Sequence, residues 1–541
     1  MSKKELGRGI KSVELFGTIL AAMTNLGERP SLAEIAEATG MQQQQLRPYL
    51  VSFQRLGLIE VDPASRGRAF GALAARLGHC RLETLGQRFG FQQIAREISS
   101  EHDLLVGLVF WAGHRPTIAK VIPSRTPLDI NLRPGTPYNV TGTATGRTFL
   151  TYSSDPRVAA RAEAELKGSV DQPAIGDAPD RAELARLIGD IREKEYAFVR
   201  DAYFPGYNAI AVPVFDQAGQ LICTMTIVGT SDGLPEKAAG PLARDIVERL
   251  KSYRDRPLKL KNLTRLPDPT LAAAANGQAA ALEDRRGVGS AEIAGRILAA
   301  LAFTSGPRKL KDVCDDAGIL PAKAHGYMVS LRKTGLVEKV PESPRYQVGP
   351  VPAEMLLVRL QSYNAFETTR ALIHELSEDT GMMCFLSTWG TYGPVVVDIA
   401  RPRDSRHTDI HIGRTLPLSD TATGMLFRAH TSADAQRQAL AAAKAIAPHR
   451  EVKGLPAKDW ARISQEVRET GVAATEQRGQ VRLRSLAAPV FDHDGEIWFS
   501  VTLTGDIEEV AAQEAKLLER LRGEVAKIST DLGYQPETAT G

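Results

Sequence analysis

The stretch GMQQQQLRPYLVSFQRLGLIE, Gly40 to Glu60, has apolar residues at helical spacing followed by a glycine break and a short extended run. It opens on four glutamines and carries Pro48 inside the helical pattern. The same spacing returns 278 residues later in GILPAKAHGYMVSLRKTGLVE, Gly318 to Glu338. At that constant lag Ser12 pairs with Ser290, Leu32 with Leu310, Tyr49 with Tyr327, Ser52 with Ser330 and Gly57 with Gly335. TATG at Thr143–Gly146 aligns with TATG at Thr421–Gly424, and AVPVFDQAGQ (Ala211–Gln220) with AAPVFDHDGE (Ala487–Glu496), the latter at a lag of 276. One unit is therefore written twice, joined through the Ala-rich, Pro-containing RLPDPTLAAAANGQAAALEDRRG (Arg265–Gly287), which reads as a linker.

Around the opening stretch, Val13, Phe16, Leu20 and Met23 predict a first helix with one buried stripe. SLAE at Ser31–Glu34 is a capping-box signal for a second, short helix, and Gly40 ends it in a tight turn. A third helix turns Leu46, Tyr49, Leu50 and Phe53 inward and breaks at Gly57. Pro48 costs a mid-helix about 3 kcal/mol, so the helix is expected either to start late, near Arg47, or to be kinked. LIEVDPASRGRAFGAL then gives a strand, an Asp-Pro turn and a return strand. Helix, helix, turn, helix, hairpin is a winged helix-turn-helix, whose third helix would enter a major groove with the Arg66/Arg68 hairpin beside the backbone or the minor groove. The second copy repeats the order with Ile293, Ile297 and Leu301, a short helix at Lys309–Asp316, a third helix at Pro321–Thr334 and the hairpin LVEKVPESPRYQVG.

The rest of each copy reads as α/β, which makes the whole α+β. A helical segment (Arg81–Ser100; Leu357–Asp379) leads to strand-like LLVGLVFW or GPVVVDIA, then the TATG segment, an amphipathic helix and a terminal hairpin around an Asp-x-x-Gly turn.

Bulk properties narrow the function. A chain of 541 residues with 43% apolar and 24% charged residues reads as an ordinary globular protein of several domains. Its longest apolar run, Leu104–Gly113, is far short of the roughly 20 residues that span a bilayer, and no secretory h-region is visible, so a cytoplasmic location and no membrane partner are expected. Four scattered cysteines fit a reducing compartment and offer no CxxC pair for zinc. Basic charge concentrates in two places: residues 1–100 hold 13 Lys/Arg against 9 Asp/Glu, and residues 285–360 hold 12 against 7. Each segment contains one of the matching helices, a mild footprint for nucleic acid and equally a solvated surface. His407 and His411 have ligand-like spacing without a third ligand, so neither a metal nor a cofactor is expected. No P-loop, GxSxG, HExxH or dinucleotide motif appears, and no enzymatic constellation is visible.

SLAEIAEATG…LGLIE, GTPYNVTGTATG, GRTLPLSDTATG and the two PVFD hairpins resemble the isocitrate lyase regulator (IclR) family of bacterial transcription factors, over nearly all of both copies. The resemblance implies winged helices at 1–75 and 287–352, linking helices at 76–101 and 353–380, GAF-like effector domains at 102–262 and 381–541, and a linker at 263–286. It also implies a small-metabolite effector, often an organic or aromatic acid, and DNA half-sites read by paired winged helices. Where the family usually carries a Ser/Thr pair and an arginine in the third helix, this chain has Gln44, Gln45 and Pro48, then Ala322, Lys323 and Gly326. The DNA-reading candidates are Gln42, Gln43, Gln44, Gln45 and Arg47 with Arg66 and Arg68 in the first copy, and Lys323 and His325 with Arg345 in the second. Glutamine can pair bidentately with adenine, and arginine can reach guanine or phosphate. Transferred by position, the effector site implies Thr145, Gly146, Asn208, Ala209 and Thr226, and Thr423, Gly424, Ser485, Thr502 and Thr504. Small hydroxyls and exposed glycine N–H groups can hold a carboxylate without a fixed countercharge. Two readings stay open beside a ligand-responsive regulator fused into a pseudo-dimer on an asymmetric operator: a sensor acting through protein partners, and an enzyme on the α/β domain. Self-association of the fused chain is a further expectation.

Overall fold

In a computed structural model, residues 9–534 are described except at 28, 62–65, 125–127, 129–131, 171–178, 202–204, 255–285, 303–305, 342, 363–364, 391, 403–409, 447–456, 479–481, 493–494 and 533. They form two compact units, one spanning 364–536 and one built from the chain before it. The expected linker, the Asp62–Ser65 turn and His407 lie outside the described residues, wholly or nearly so.

The first unit begins with α1 (Lys11–Leu26), α2 (Leu32–Thr39) and α3 (Gln43–Arg55), then a wing of β1 (Ile59–Val61) and β2 (Arg68–Phe70). The capping box closes as read: Ser31 Oγ accepts from the Glu34 N–H at 3.2 Å, and the Glu34 carboxylate accepts from the Ser31 N–H at 2.8 Å. Gly40 takes the left-handed conformation that ends α2. The late start expected for the third helix is not found; α3 begins at Gln43 and runs through Pro48. Leu46, Tyr49, Leu50 and Phe53 are buried on both sides of the proline, with the Phe16 and Phe53 rings edge-on at 4.9 Å, so core packing holds the turn. The carbonyl that loses its donor belongs to exposed Gln44, where water can satisfy it.

The segment read as one linking helix is two, α4 (Ala72–Phe89) and α5 (Phe91–His102). Gly90 between them has φ 67°, and a Cβ there would stand 2.0 Å from the Tyr253 ring. The chain continues through β3 (Leu105–Ala112), β4 (Arg115–Ile122), α6 (Ala144–Tyr152), α7 (Pro156–Leu166), α8 (Arg181–Lys194), β5 (Ala197–Val199), β6 (Tyr207–Phe215), β7 (Leu221–Thr230) and α9 (Glu236–Arg254). The five strands form one antiparallel sheet in the order β4-β3-β7-β6-β5. Thr145 of α6 bonds Thr226 on one face, while Phe91 of α5 meets Phe110 on the other. The Asp-x-x-Gly turn closes as expected, Asp216 Oδ1 accepting from the N–H groups of Ala218 and Gln220, each at 2.8 Å.

The second winged helix follows in the same unit: α10 (Gly289–Leu301), β8 (Arg308–Lys309), α11 (Leu310–Ala317), α12 (Pro321–Lys333), β9 (Val337–Lys339), β10 (Arg345–Val348) and α13 (Val351–Ser362). Here β8 widens the wing to three strands, β8-β10-β9, an addition the sequence reading did not foresee. The second unit holds α14 (Ala365–Thr380), β11 (Met383–Gly390), β12 (Gly393–Ala400), α15 (Ala422–His430), α16 (Ala433–Ile446), α17 (Ala457–Thr470), β13 (Ala473–Arg478), β14 (Arg482–Phe491), β15 (Ile497–Asp506) and α18 (Ile507–Asp531). Its sheet, β12-β11-β15-β14-β13, repeats the first one strand for strand.

Candidate nucleic-acid interface and effector pockets

Within the first unit the two winged helices meet through contacts that map onto one another at the 278-residue lag. Ser12 and Ser290 share a hydroxyl hydrogen bond of 2.7 Å, each being the other's counterpart. Fully buried Ser52 accepts from the Val288 N–H at 2.8 Å, and Ser330 accepts from the Ile10 N–H at 2.7 Å. Arg55 pairs with Glu292 at 2.9 Å, and Lys333 with Glu14 at 3.0 Å. Further out, Arg81 pairs with Glu338 at 3.0 Å and Arg359 with Glu60 at 3.5 Å, each guanidinium also donating to a carbonyl of the other copy's wing, Val348 or Phe70. Such reciprocity is the mark of an isologous interface, made here inside one chain.

That interface uses the C-terminal half of each third helix and leaves the N-terminal half facing out. Gln42, Gln43, Gln44, Gln45 and Arg47 are all exposed. Arg68 lies close enough to Arg47 that its guanidinium pKa is lowered, mainly by partial burial and secondarily by that charge. Arg68 donates to the Arg66 carbonyl at 3.1 Å, so wing and helix form one cationic surface. The second copy differs. Lys323 and His325 are exposed, whereas Arg345 is half-buried on β10 and donates to the Pro307 carbonyl at 3.1 Å, tied to the extra strand's side of the wing. Leu320, the counterpart of Gln42, is 76% exposed at the start of α12. The sequence reading passed over Leu320; an apolar residue outside the helical stripe just before Pro321 was the available signal.

On the sheet faces, Thr145 and Thr226 share a buried hydroxyl bond of 2.7 Å, and Thr423 and Thr502 one of 2.8 Å. Ser485 and Thr504 pair at 2.8 Å. Ala209 is buried on the same face as Thr226, but Asn208, next to it on β6, points to the other face. There its amide donates to the Leu234 carbonyl at 2.9 Å, so the fold does not bring Asn208 together with the rest. The glycine N–H groups are not exposed: Gly146 donates to Thr143 Oγ1 and Gly424 to Thr421 Oγ1, both at 2.9 Å. Each glycine is a packing requirement, because a Cβ would stand 2.1 Å from the Asn139 carbonyl or 2.0 Å from the Pro417 carbonyl. Residues the sequence reading missed are Ser387 and Ser500, fully buried and paired across β11 and β15, and Thr475 beside Ser485. Among the described residues the Ser387 hydroxyl has no partner. Alternation along β11 and β15 from Thr502 would have found them.

His411 is exposed in a loop. Among the described residues the one group close enough to share a cation is exposed Glu101, His102 and Asp245, where Arg249 already pairs with Glu101 at 2.8 Å and Asp245 at 3.0 Å. No described helix is long and apolar enough to cross a membrane.

Two winged helix-turn-helix domains with outward-facing third helices, coupled to two α/β domains of one topology, define a DNA-binding regulator of transcription. The comparisons agree. The model of the bacterial transcriptional regulator IclR C-terminal domain matches residues 87–250 and again 358–530, more than half of the chain, and that of the IclR helix-turn-helix domain matches 290–341. The glycerol operon regulatory protein of Streptomyces griseus is 30% identical over 255 residues, 46% of this chain and 98% of that protein. The transcriptional repressor IclR of Escherichia coli is 23% identical over 226 residues, 40% of this chain and 79% of its own. Among solved structures, Pseudomonas aeruginosa HmgR is 25% identical, with 46% of this chain and 99% of HmgR covered and a TM-score of 0.39. The chain belongs to the IclR family of transcriptional regulators, with the family's unit present twice.

Proposed function

We propose that one chain supplies both halves of an operator-binding pair: a fused pseudo-dimer that reads an asymmetric operator and is controlled by a small metabolite, an organic or aromatic acid. The observation that carries this reading is the reciprocal contact set between the winged helices, Ser52 with Val288 against Ser330 with Ile10, and Arg55 with Glu292 against Lys333 with Glu14. Covalent linkage makes the second half-site contact intramolecular. The two helices offer different chemistry. Gln42–Gln45 and Arg47 suit adenine, guanine and phosphate, whereas Leu320 suits a thymine methyl and Lys323 a guanine or phosphate. A homodimer could not encode that difference. The effector reading rests on the threonine pairs and Ser485 under α6 and α15, and coupling to DNA of this kind is typically worth about 1–3 kcal/mol.

The test is salt-dependent binding of the purified chain to fragmented genomic DNA, with the enriched fragments sequenced. The expected result is one motif with unlike half-sites and a steep fall of log K with log salt. Gln44→Ala and Leu320→Ala should each relax specificity in a different half-site, by about 1–3 kcal/mol at the base concerned. Motif-free, weak binding would overturn the operator reading in favour of a sensor that acts through protein partners, the reading to which Pro48 and the missing family arginine lend support.

A further inference from the structure

Where the first α/β domain meets the second winged helix, the first unit holds a half-open cavity of about 500 Å³, within the range of small-molecule sites. Its aromatic floor is half-buried Trp111 near the end of β3, backed by buried Phe149 of α6 with the centroids 5.9 Å apart, while buried Phe110, on the opposite face of β3, also lines the cavity. One wall is α4, where Arg81 and Arg88 lie two turns apart on one face. The opposite wall comes from the second wing and α13.

The charges around it are matched with one exception. Arg157 is bound by Asp155 at 2.7 Å and Glu354 at 2.8 Å. Glu338 is held by Arg81, and Asp216 is spent on its own turn. Arg88 is left with the Gln217 side-chain carbonyl at 3.1 Å and the Phe89 ring, and among the described residues no carboxylate pairs with it. Among the described residues the buried Nε–H groups of Arg81 and Arg88 have no acceptor, and Arg81 as a whole is only 9% exposed. Buried guanidinium donors beside an aromatic floor ask for an anionic oxygen attached to a flat apolar body.

We infer that this cavity is a second ligand site, separate from the threonine pairs, for a small ring-bearing carboxylate whose oxygens meet Arg88 and Arg81 and whose ring lies on Trp111. Because its walls come from the first α/β domain on one side and from the second wing and α13 on the other, an occupant fixes the spacing of elements that also carry the Arg157–Glu354 link. The site therefore bears on the posture of the winged helices without using either threonine pair.

Benzoate is the probe, titrated into the full chain and followed by calorimetry and by quenching of Trp111 fluorescence, with acetate and benzamide as the carboxylate-only and ring-only controls. Saturable benzoate binding is expected, with both controls at least about tenfold weaker. Arg88→Gln, on a half-exposed helix position, should weaken benzoate about tenfold with thermal unfolding unchanged. Trp111→Phe should remove most of the optical signal while calorimetric binding persists. The inference is overturned if benzoate shows no saturation, if Arg88→Gln binds as well as the parent, or if benzamide equals benzoate. None of these readouts involves DNA, so they stand or fall apart from the operator.

Discussion

The two sheets have one strand order and opposite chemistry on the face under the TATG helix. At one register the first carries Val199, Ala209, Val228 and Leu105 across its strands, where the second carries Thr475, Ser485, Thr504 and Met383. Toward the hairpin turn the first has Val109 and Thr224, the second Ser387 and Ser500. The first face closes as an apolar cluster of Leu105, Ala209 and Val228 with Val121 and Val199 against it. The loop before α6 is also locked there, because the buried Glu165 carboxylate accepts from the N–H groups of Val140 and Thr141 and from the Thr141 hydroxyl at 2.9–3.0 Å, and is paired with Arg161. At the matching lag the second copy has Ala443. Duplication thus kept the backbone and let the side chains diverge toward a hydroxyl-rich face in one copy and a more apolar, braced one in the other.

The contrast can be broken most strongly at Glu165. Glu165→Ala leaves the Arg161 cation and two buried N–H groups unpaired, a loss of about 3–5 kcal/mol. Hydrogen exchange should show opening confined to the segment around 139–148 while the corresponding segment around 417–426 stays protected; equal protection in the variant and its parent would remove the claim that the first copy is braced. Next in size is the comparison of Thr226→Val with Thr502→Val. Thr226 bonds Thr145, whereas Thr502 bonds both Thr423 and Ser500, so urea unfolding should give losses of about 1 and about 2 kcal/mol respectively. Equal losses would mean the extra hydroxyls of the second face are idle.

A third effect sharpens the comparison by pH. His114 in the first unit is lowered to about 4 by burial and then by Arg115 and Arg161, and His430 in the second to about 4 by burial and then by Arg468. Both folded values lie below the ordinary 6.5, so the unfolded chain binds these protons first. Their stability contribution is present above about pH 6.5 and drains away as pH falls toward 4. His114→Gln should flatten that decline for the first unit alone and His430→Gln for the second alone, read by thermal unfolding at stepped pH; a decline unchanged in both would locate the acid sensitivity elsewhere.

Much of this was legible in the chain. Apolar periodicity and the Ser31 and Gly40 signals sufficed for the first winged helix, and the constant lag exposed the duplication. Pro48 misled, because helix propensity is a local quantity whereas Leu46, Tyr49 and Phe53 act through a core that a single segment does not display. Asn208 and the Gly146 and Gly424 N–H groups misled for a related reason. Whether a polar group is available depends on what the fold places against it, here the Leu234 carbonyl and the Thr143 and Thr421 hydroxyls.

The sequence by itself determined the repeated unit, the order of its elements and the family, since these rest on spacing and residue type along the chain. Tertiary structure alone decided that Ser52 and Ser330 find each other's partner segments, that Arg345 turns to the Pro307 carbonyl while Arg68 sits beside Arg47, and that one sheet face carries fewer hydroxyls than its twin. Those outcomes depend on contacts between residues from about twenty to more than three hundred positions apart, and on which face of a strand each one occupies once register is set.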